Sequence, residues 1–207
     1  MRVDLSNISS IIFDLGNVLL NLDFDASIKA FHELGLNDDL LTRQQVYADP
    51  VFYKLETGSV TEPEFRIRVR ELLQNNEASD VEIDDAWSAM IKDIPEYRVD
   101  TLKELRKKYS VYLFSNTNSI HIAKLLANFE KAYSFDFTSL FDGVFYSHEI
   151  QARKPDINAF EKVIEMSGVI PEKTLFVDDL EKNIEGAQNA GLKTLWLTAA
   201  MEMANLF

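Results

Sequence analysis

The chain has 207 residues, 46% hydrophobic and 27% charged, enough for a substantial core and near the size at which a second domain appears. A formal net charge of −13 argues against nucleic acid, whose phosphates demand a basic face, and against a polybasic membrane-surface role. With no cysteine in the sequence, disulfides, thiolate catalysis and cysteine-ligated zinc are excluded.

In chain order, the first apolar run is SSIIFDL (Ser9–Leu15), which leads straight into Asp14, with Gly16 two positions on. The next ninety or so residues carry no strand signal. Asp49-Pro50 predicts an N-cap and first helical position, with Gly58 closing that helix. Thr61-Glu62-Pro63-Glu64 is a capping box ahead of Phe65, Val69, Leu72 and Leu73. Ile83, Trp87, Met90 and Ile91 form a further apolar stripe that ends at Pro95. A helical module is therefore expected over 21–97, inserted into a core made of 1–20 and 98–207.

Four more short apolar runs follow: SVYLFSN (Ser110–Asn116), GVFYS (Gly143–Ser147), TLFVDD (Thr174–Asp179) and KTLWLT (Lys193–Thr198). Continuous apolar runs of this length are what parallel strands buried on both faces require. Helical patterns separate them, through Ile122, Leu125, Leu126 and Phe129, then Phe160, Val163 and Ile164, then Ile184, Ala187 and Ala190 with Gly191 as the C-cap glycine. The alternation predicts an α/β fold, a doubly wound, mainly parallel five-stranded Rossmann-like sheet. Asp4 and Asp14 break up the N-terminal region, and no uncharged apolar run reaches the length of a membrane span. A soluble cytoplasmic protein without membrane contact is the expectation, and a homodimer through either part of the chain stays open.

In an open parallel sheet, ligands bind beyond the carboxyl ends of the strands. Polar residues collect there: Asp14 after the first run, Ser115-Asn116-Thr117-Asn118 after the second, and Asp178-Asp179 after the fourth, while Arg153-Lys154-Pro155-Asp156 precedes a helix. Each alone reads as a turn or a cap. Together, three acids crowded at one edge repel unless a cation joins them. Three carboxylates, a lysine and a Ser/Asn pair suit Mg²⁺ and a phosphate group, since Mg²⁺ takes hard oxygen ligands and lysine serves phosphate as a point charge.

On FDLGN (Phe13–Asn17), SNT (Ser115–Thr117), RKP (Arg153–Pro155) and VDD (Val177–Asp179) followed by Asn183, the sequence resembles the haloacid dehalogenase superfamily over nearly its whole length. The FDLGN form resembles the branch that contains bacterial α-glucose-1-phosphate phosphatase. The resemblance implies that the inserted module is an α-helical cap domain and that the protein is a Mg²⁺-dependent phosphatase acting on a small phosphorylated metabolite. It implies Asp14 as the nucleophile that forms an aspartyl-phosphate, Ser115 and the Asn116 backbone amide as phosphate-binding groups, and Lys154 as the neutralising cation. It further implies that Asp14, the Gly16 carbonyl and Asp179 hold the metal, with Asp178 as a direct or water-mediated second carboxylate and Asn183 orienting the acidic pair.

Gly16 departs from the family pattern, which carries there an aspartate that protonates the leaving oxygen and then activates water. Three expectations follow. The substrate has a good leaving group, such as a sugar 1-phosphate. Or another residue substitutes, with Asp23, Glu56, His121 and His148 as candidates. Or the chain is a catalytically impaired relative that binds phosphorylated ligands or a protein partner. Asn21, Asp23, Tyr53, Lys54, Glu56 and Trp87 are candidates to face the sheet edge from the insertion. His32 is expected on a helix surface, and the terminal AAMEMANLF (Ala199–Phe207) on the core or a neighbour.

Overall fold

The protein is described by a computed structural model covering residues 3–36 and 48–207. Five strands, β1 (Ser10–Phe13), β2 (Ser110–Ser115), β3 (Gly143–Tyr146), β4 (Thr174–Asp178) and β5 (Lys193–Trp196), form one sheet in the order β3-β2-β1-β4-β5. Every neighbouring pair is parallel, with Ser10 beside both Ser110 and Thr174 at the start of the central register. The expected doubly wound sheet is therefore present.

Alternation along the strands explains its two covered faces. Ile11 and Phe13 of β1 join Val111, Leu113, Leu175 and Val177 in one apolar cluster. That cluster is closed by Val99 and Leu102 of α5 (Glu96–Leu105) and by Ile122, Leu125 and Phe129 of α6 (Ser119–Tyr133). Ile12 points the other way and packs with Phe114, Phe145 and Phe176 against Phe160 and Val163 of α8 (Ile157–Ser167) and Ile184 and Ala187 of α9 (Glu181–Asn189). A four-residue helix, α7 (Ser147–Ile150), follows β3 directly. At the C-terminus Met203 is fully buried and the Phe207 ring meets the edge of Phe13 at 5.6 Å. Arg98 anchors this segment through Glu202 at 2.8 Å.

Between β1 and β2 lie α1 (Phe24–Glu33), α2 (Pro50–Glu56), α3 (Glu62–Leu73) and α4 (Asp80–Ser88). Their starts follow the cap chemistry of the sequence. Asp49 accepts from Val51 N with Pro50 in the first turn, and Thr61 and Ser79 each form a complete capping box. These helices share an apolar cluster of their own, in which Trp87 lies 4.8 Å from the Phe52 ring and 6.0 Å from the Phe65 ring.

The stripe through Ile83, Trp87, Met90 and Ile91 is not one continuous helix, because α4 stops at Ser88. Met90 is still buried, but Ile91 forms an antiparallel bridge to Leu22. Asp23 N bonds Met90 O, Asn21 N bonds Asp93 O and Lys92 N bonds Asn21 O. The two chain segments that join the insertion to the sheet thus run side by side, and strand pairing takes the backbone groups that a longer helix would have used. Among the described residues, no helix is long and apolar enough to cross a membrane.

Candidate active site

The carboxyl end of the sheet brings the chemistry-bearing residues together. β1 ends at Phe13, so Asp14 is the first residue past it, held by its own N–H to Val177 O at 2.9 Å. Lys154 reaches the same edge from the turn before α8 and is 1% exposed. Its Nζ donates to Asp14 Oδ1 at 2.6 Å, to Asp178 Oδ2 at 2.7 Å and to Phe114 O at 3.0 Å. All three ammonium protons are thereby committed. The same Nζ lies 5.2 Å from the centre of the Phe114 ring and 5.3 Å from that of Phe176, which seal it from water.

Asp178 is saturated: Oδ1 accepts from Leu180 N and Asn183 Nδ2, and Oδ2 from Lys154 and Asn183. Among the described residues, Asp179 takes a single side-chain donor, Asn17 Nδ2 at 3.0 Å. Asp14 Oδ2 takes none among the described residues. Asn17 sits at φ 56°, in the left-handed region that asparagine tolerates, and this turns its amide towards Asp179. Asn116 uses its whole amide to clip the Lys154 backbone, donating to Lys154 O at 2.8 Å and accepting from Lys154 N at 2.9 Å. Ser115 is buried at the end of β2, and its hydroxyl makes no hydrogen bond among the described residues.

Carboxylate oxygens of Asp14, Asp178 and Asp179 lie within 4.8 Å of one another. Burial pushes the Asp14 carboxyl well above the ordinary carboxylate range. Lys154 opposes that shift, and the neighbouring acids Asp178 and Asp179 add to it. Burial, with the Asp178 charge, likewise raises Asp179 against the Asn17 hydrogen bond. Lys154 is raised in turn: desolvation disfavours its charge, but Asp14 and Asp178 outweigh it. Three acids facing one buried ammonium therefore lack a second positive charge. A hard divalent cation with oxygen ligands fits this donor set, with free acceptor capacity on Asp14 Oδ2 and on Asp179.

These groups form one end of a cavity of about 530 Å³ between the sheet edge and the insertion. Asp14, Gly16, Ser115, Asn116, Lys154, Asp179 and Asn183 all line it. Of the candidates on the insertion, Tyr53, Glu56 and Trp87 line it as well, and so does His121 on α6. Asn21, Asp23, Lys54 and His148 are not among its lining residues. Asn21 instead binds Asp93 and Arg98, Asp23 caps α1, and His148 Nδ1 bonds Thr117 O. Asn17, Arg153 and Leu22, to which the sequence reading gave no role, line the same space. The left-handed turn at Asn17 had no sequence signal beyond the preceding glycine.

The family model for haloacid dehalogenase-like hydrolases matches residues 8–191. The chain is 31% identical over 187 residues to a D-ribitol-5-phosphate phosphatase of Bacteroides thetaiotaomicron, covering 90% of each protein. A solved haloacid dehalogenase family enzyme from the same organism, in complex with magnesium and inorganic phosphate, superposes with a TM-score of 0.89. The two are 36% identical, with 97% of this chain and 99% of that one covered. A haloacid dehalogenase-like hydrolase of Porphyromonas gingivalis is 31% identical with a TM-score of 0.82, over 91% of this chain and 90% of that one. The chain belongs to the haloacid dehalogenase-like hydrolase family.

Proposed function

We infer that the substrate of this Mg²⁺-dependent phosphoric monoester hydrolase is a small sugar or polyol phosphate, a sugar 1-phosphate among them, and that hydrolysis runs through an aspartyl-phosphate on Asp14. The observation that carries this is Asp14 itself: a buried carboxylate at a strand end, one oxygen bonded to Lys154, the other free and facing the cavity edge it shares with Ser115 and Asp179. The similarity to a D-ribitol-5-phosphate phosphatase and to an enzyme that holds magnesium and phosphate supports the substrate class and the metal.

Asp14, Asp179 and the Gly16 carbonyl would hold the metal. Asp178, whose oxygens already take four hydrogen bonds from Leu180 N, Asn183 Nδ2 and Lys154 Nζ, would stand beside them as the second carboxylate of the acidic pair. Bound there, Mg²⁺ supplies the positive charge that phosphoryl oxygens and crowded carboxylates both need. An Asp14 carboxylate oxygen attacks phosphorus, Lys154 neutralises charge between nucleophile and phosphate, and the Ser115 hydroxyl and the Asn116 backbone N–H hold the phosphoryl oxygens. Asn183 fixes Asp178. Residues 21–97 act as a cap over a core of 1–20 and 98–207, and the cavity between them holds the leaving group.

Gly16 supports membership of the branch containing α-glucose-1-phosphate phosphatase. An anomeric oxygen is a better leaving group than a simple alkoxide and leans less on a proton donor. Phosphate release from a panel of sugar and polyol phosphates and p-nitrophenyl phosphate, with Mg²⁺ and with EDTA, tests the reading. Release that needs Mg²⁺ and disappears in Asp14→Asn is expected. A folded wild-type protein that binds Mg²⁺ and phosphate but turns over none of the panel would instead be a binding protein on this fold.

A further inference from the structure

A phosphate ester of an ordinary alcohol leaves as an alkoxide unless a proton reaches the ester oxygen, and a positioned acid contributes about 10²–10⁴-fold to such a step. Position 16 cannot hold that acid without rearrangement. A Cβ built on Gly16 would lie 2.8 Å from Leu22 Cδ1, so an apolar side chain occupies the space a longer residue would need.

Beyond Asp14, Lys154 and Asp179, the titratable side chains lining the cavity are Tyr53, Glu56, His121 and Arg153. His121 is buried, and desolvation lowers it to about 4, so it is neutral near pH 7. Its Nε2 lies 3.1 Å from Trp87 O, a carbonyl that can only accept, so its single proton is committed there. Arg153 does not give up a proton. Tyr53 is 50% exposed, and its ring faces the Arg153 guanidinium at 4.9 Å.

Glu56 is different. It ends α2, and that end is docked on the sheet domain. The Glu56 carbonyl accepts from Ser147 Oγ at 2.6 Å. Gly58, at φ +65°, brings the backbone so close to His148 O that a Cβ there would sit 2.4 Å from it. The Glu56 carboxylate is fixed by Arg153 Nη2 at 3.1 Å, next in sequence to Lys154. Among the described residues, the buried Arg153 Nε–H has no hydrogen-bond partner. Burial raises the Glu56 carboxyl against the pull of Arg153, the direction a proton donor requires.

We propose that Glu56 is the proton donor to the leaving oxygen, and the base for the second step, placed by Arg153 and by the docked end of α2. This rests on the phosphatase reading. In the first step an Asp14 oxygen forms a bond to phosphorus and the bond to the ester oxygen breaks. The electron pair stays on that oxygen, which takes the Glu56 proton and departs as a neutral alcohol. In the second step water attacks phosphorus and gives its proton to Glu56. The bond to Asp14 breaks, inorganic phosphate leaves, and both carboxyl groups return to their starting states.

The test is Glu56→Gln assayed on a series of phosphates whose leaving groups run from p-nitrophenol to simple alcohols. In the first turnover, alcohol release from the alkyl esters should fall by about 10²–10⁴-fold, while the p-nitrophenolate burst, whose leaving group needs no proton, should change little; steady-state turnover of every ester should fall, because the second step has lost its base. A retained p-nitrophenolate burst also shows that the variant folds. Glu56→Asp, which withdraws the carboxyl by one methylene, should show the same graded loss and serves if Glu56→Gln does not fold. Equal first-turnover loss across the series, or no first-turnover loss with the alkyl esters, would overturn the assignment and leave Glu56 a structural partner of Arg153. Failure of the wild type on every ester would instead bring down the phosphatase reading itself.

Discussion

Lys154→Met removes the one ammonium that lies between two buried carboxylates and leaves the packing nearly unchanged, since methionine keeps an unbranched apolar stem beside Phe114 and Phe176. What is lost is two charge-assisted hydrogen bonds, at 2.6 and 2.7 Å, and one to a carbonyl at 3.0 Å. Hydrogen bonds to charged groups contribute about 1.5–3 kcal/mol each. Removing one partner of a buried pair costs about 3–5 kcal/mol, because the orphaned charge stays desolvated. The two estimates agree, and they predict a fall of about 3–5 kcal/mol in EDTA. For a domain of this size that is a drop in Tm of roughly 6–20 °C. Asp14 and Asp178 should then hold a divalent cation more firmly, since nothing else offsets their charge. Mg²⁺ should therefore raise the Tm of the variant by more than it raises that of the wild type. Thermal unfolding in EDTA and in Mg²⁺ measures both numbers, and activity should be abolished in either buffer. A variant within about 1 kcal/mol of wild type in EDTA, a small surface-like effect, with an unchanged response to Mg²⁺, would refute the idea that Lys154 neutralises this cluster.

Two further predictions concern stability. Gly16→Ala carries no backbone strain, as Gly16 is not among the positive-φ glycines, but its Cβ meets Leu22 Cδ1. It should cost about 1–3 kcal/mol by overpacking, and in a double-mutant cycle with Leu22→Ala the pair should lose less than the sum of the singles; strict additivity in urea unfolding would show that the contact is not strained. Glu202 is held below the usual carboxylate range chiefly by its hydrogen bond to Arg98. A depressed folded pKa contributes stability above the unfolded value, near pH 4.3 for glutamate, and that stability is lost as pH falls through the folded value. Glu202→Gln should therefore be less stable than wild type by about 1–3 kcal/mol at pH 7, and the gap should close in acid; a gap that is constant down to pH 3 in thermal melts would exclude the ion pair as its source.

The elements of this protein were largely legible in its sequence because their signals are local. Thr61 and Asp49 cap the helices they were expected to start, and five short apolar runs became five parallel strands. Period-two alternation in β1 could be read but not interpreted until two helical layers were seen to claim Ile11 and Phe13 on one side and Ile12 on the other. The end of α4 at Ser88 was not legible, since the pairing of Ile91 with Leu22 joins residues far apart in the chain.

The acidic strand ends announced a cation site from sequence, because carboxylates and a lysine at the carboxyl edge of a parallel sheet have few other uses. Only the tertiary structure decided how the charges are shared. It saturates Asp178 with four hydrogen bonds from three donors, leaves Asp14 Oδ2 free and buries Lys154 between Asp14 and Asp178. It also separated Glu56 from Asp23 and His148, three side chains that the sequence offered as equals. That distinction depends on where the end of α2 docks, through a serine hydroxyl and a glycine set against the backbone of α7, more than ninety positions further along the chain. Local sequence fixes which groups can carry charge; long-range packing decides which of them share a cavity, because solvation and distance set their chemistry.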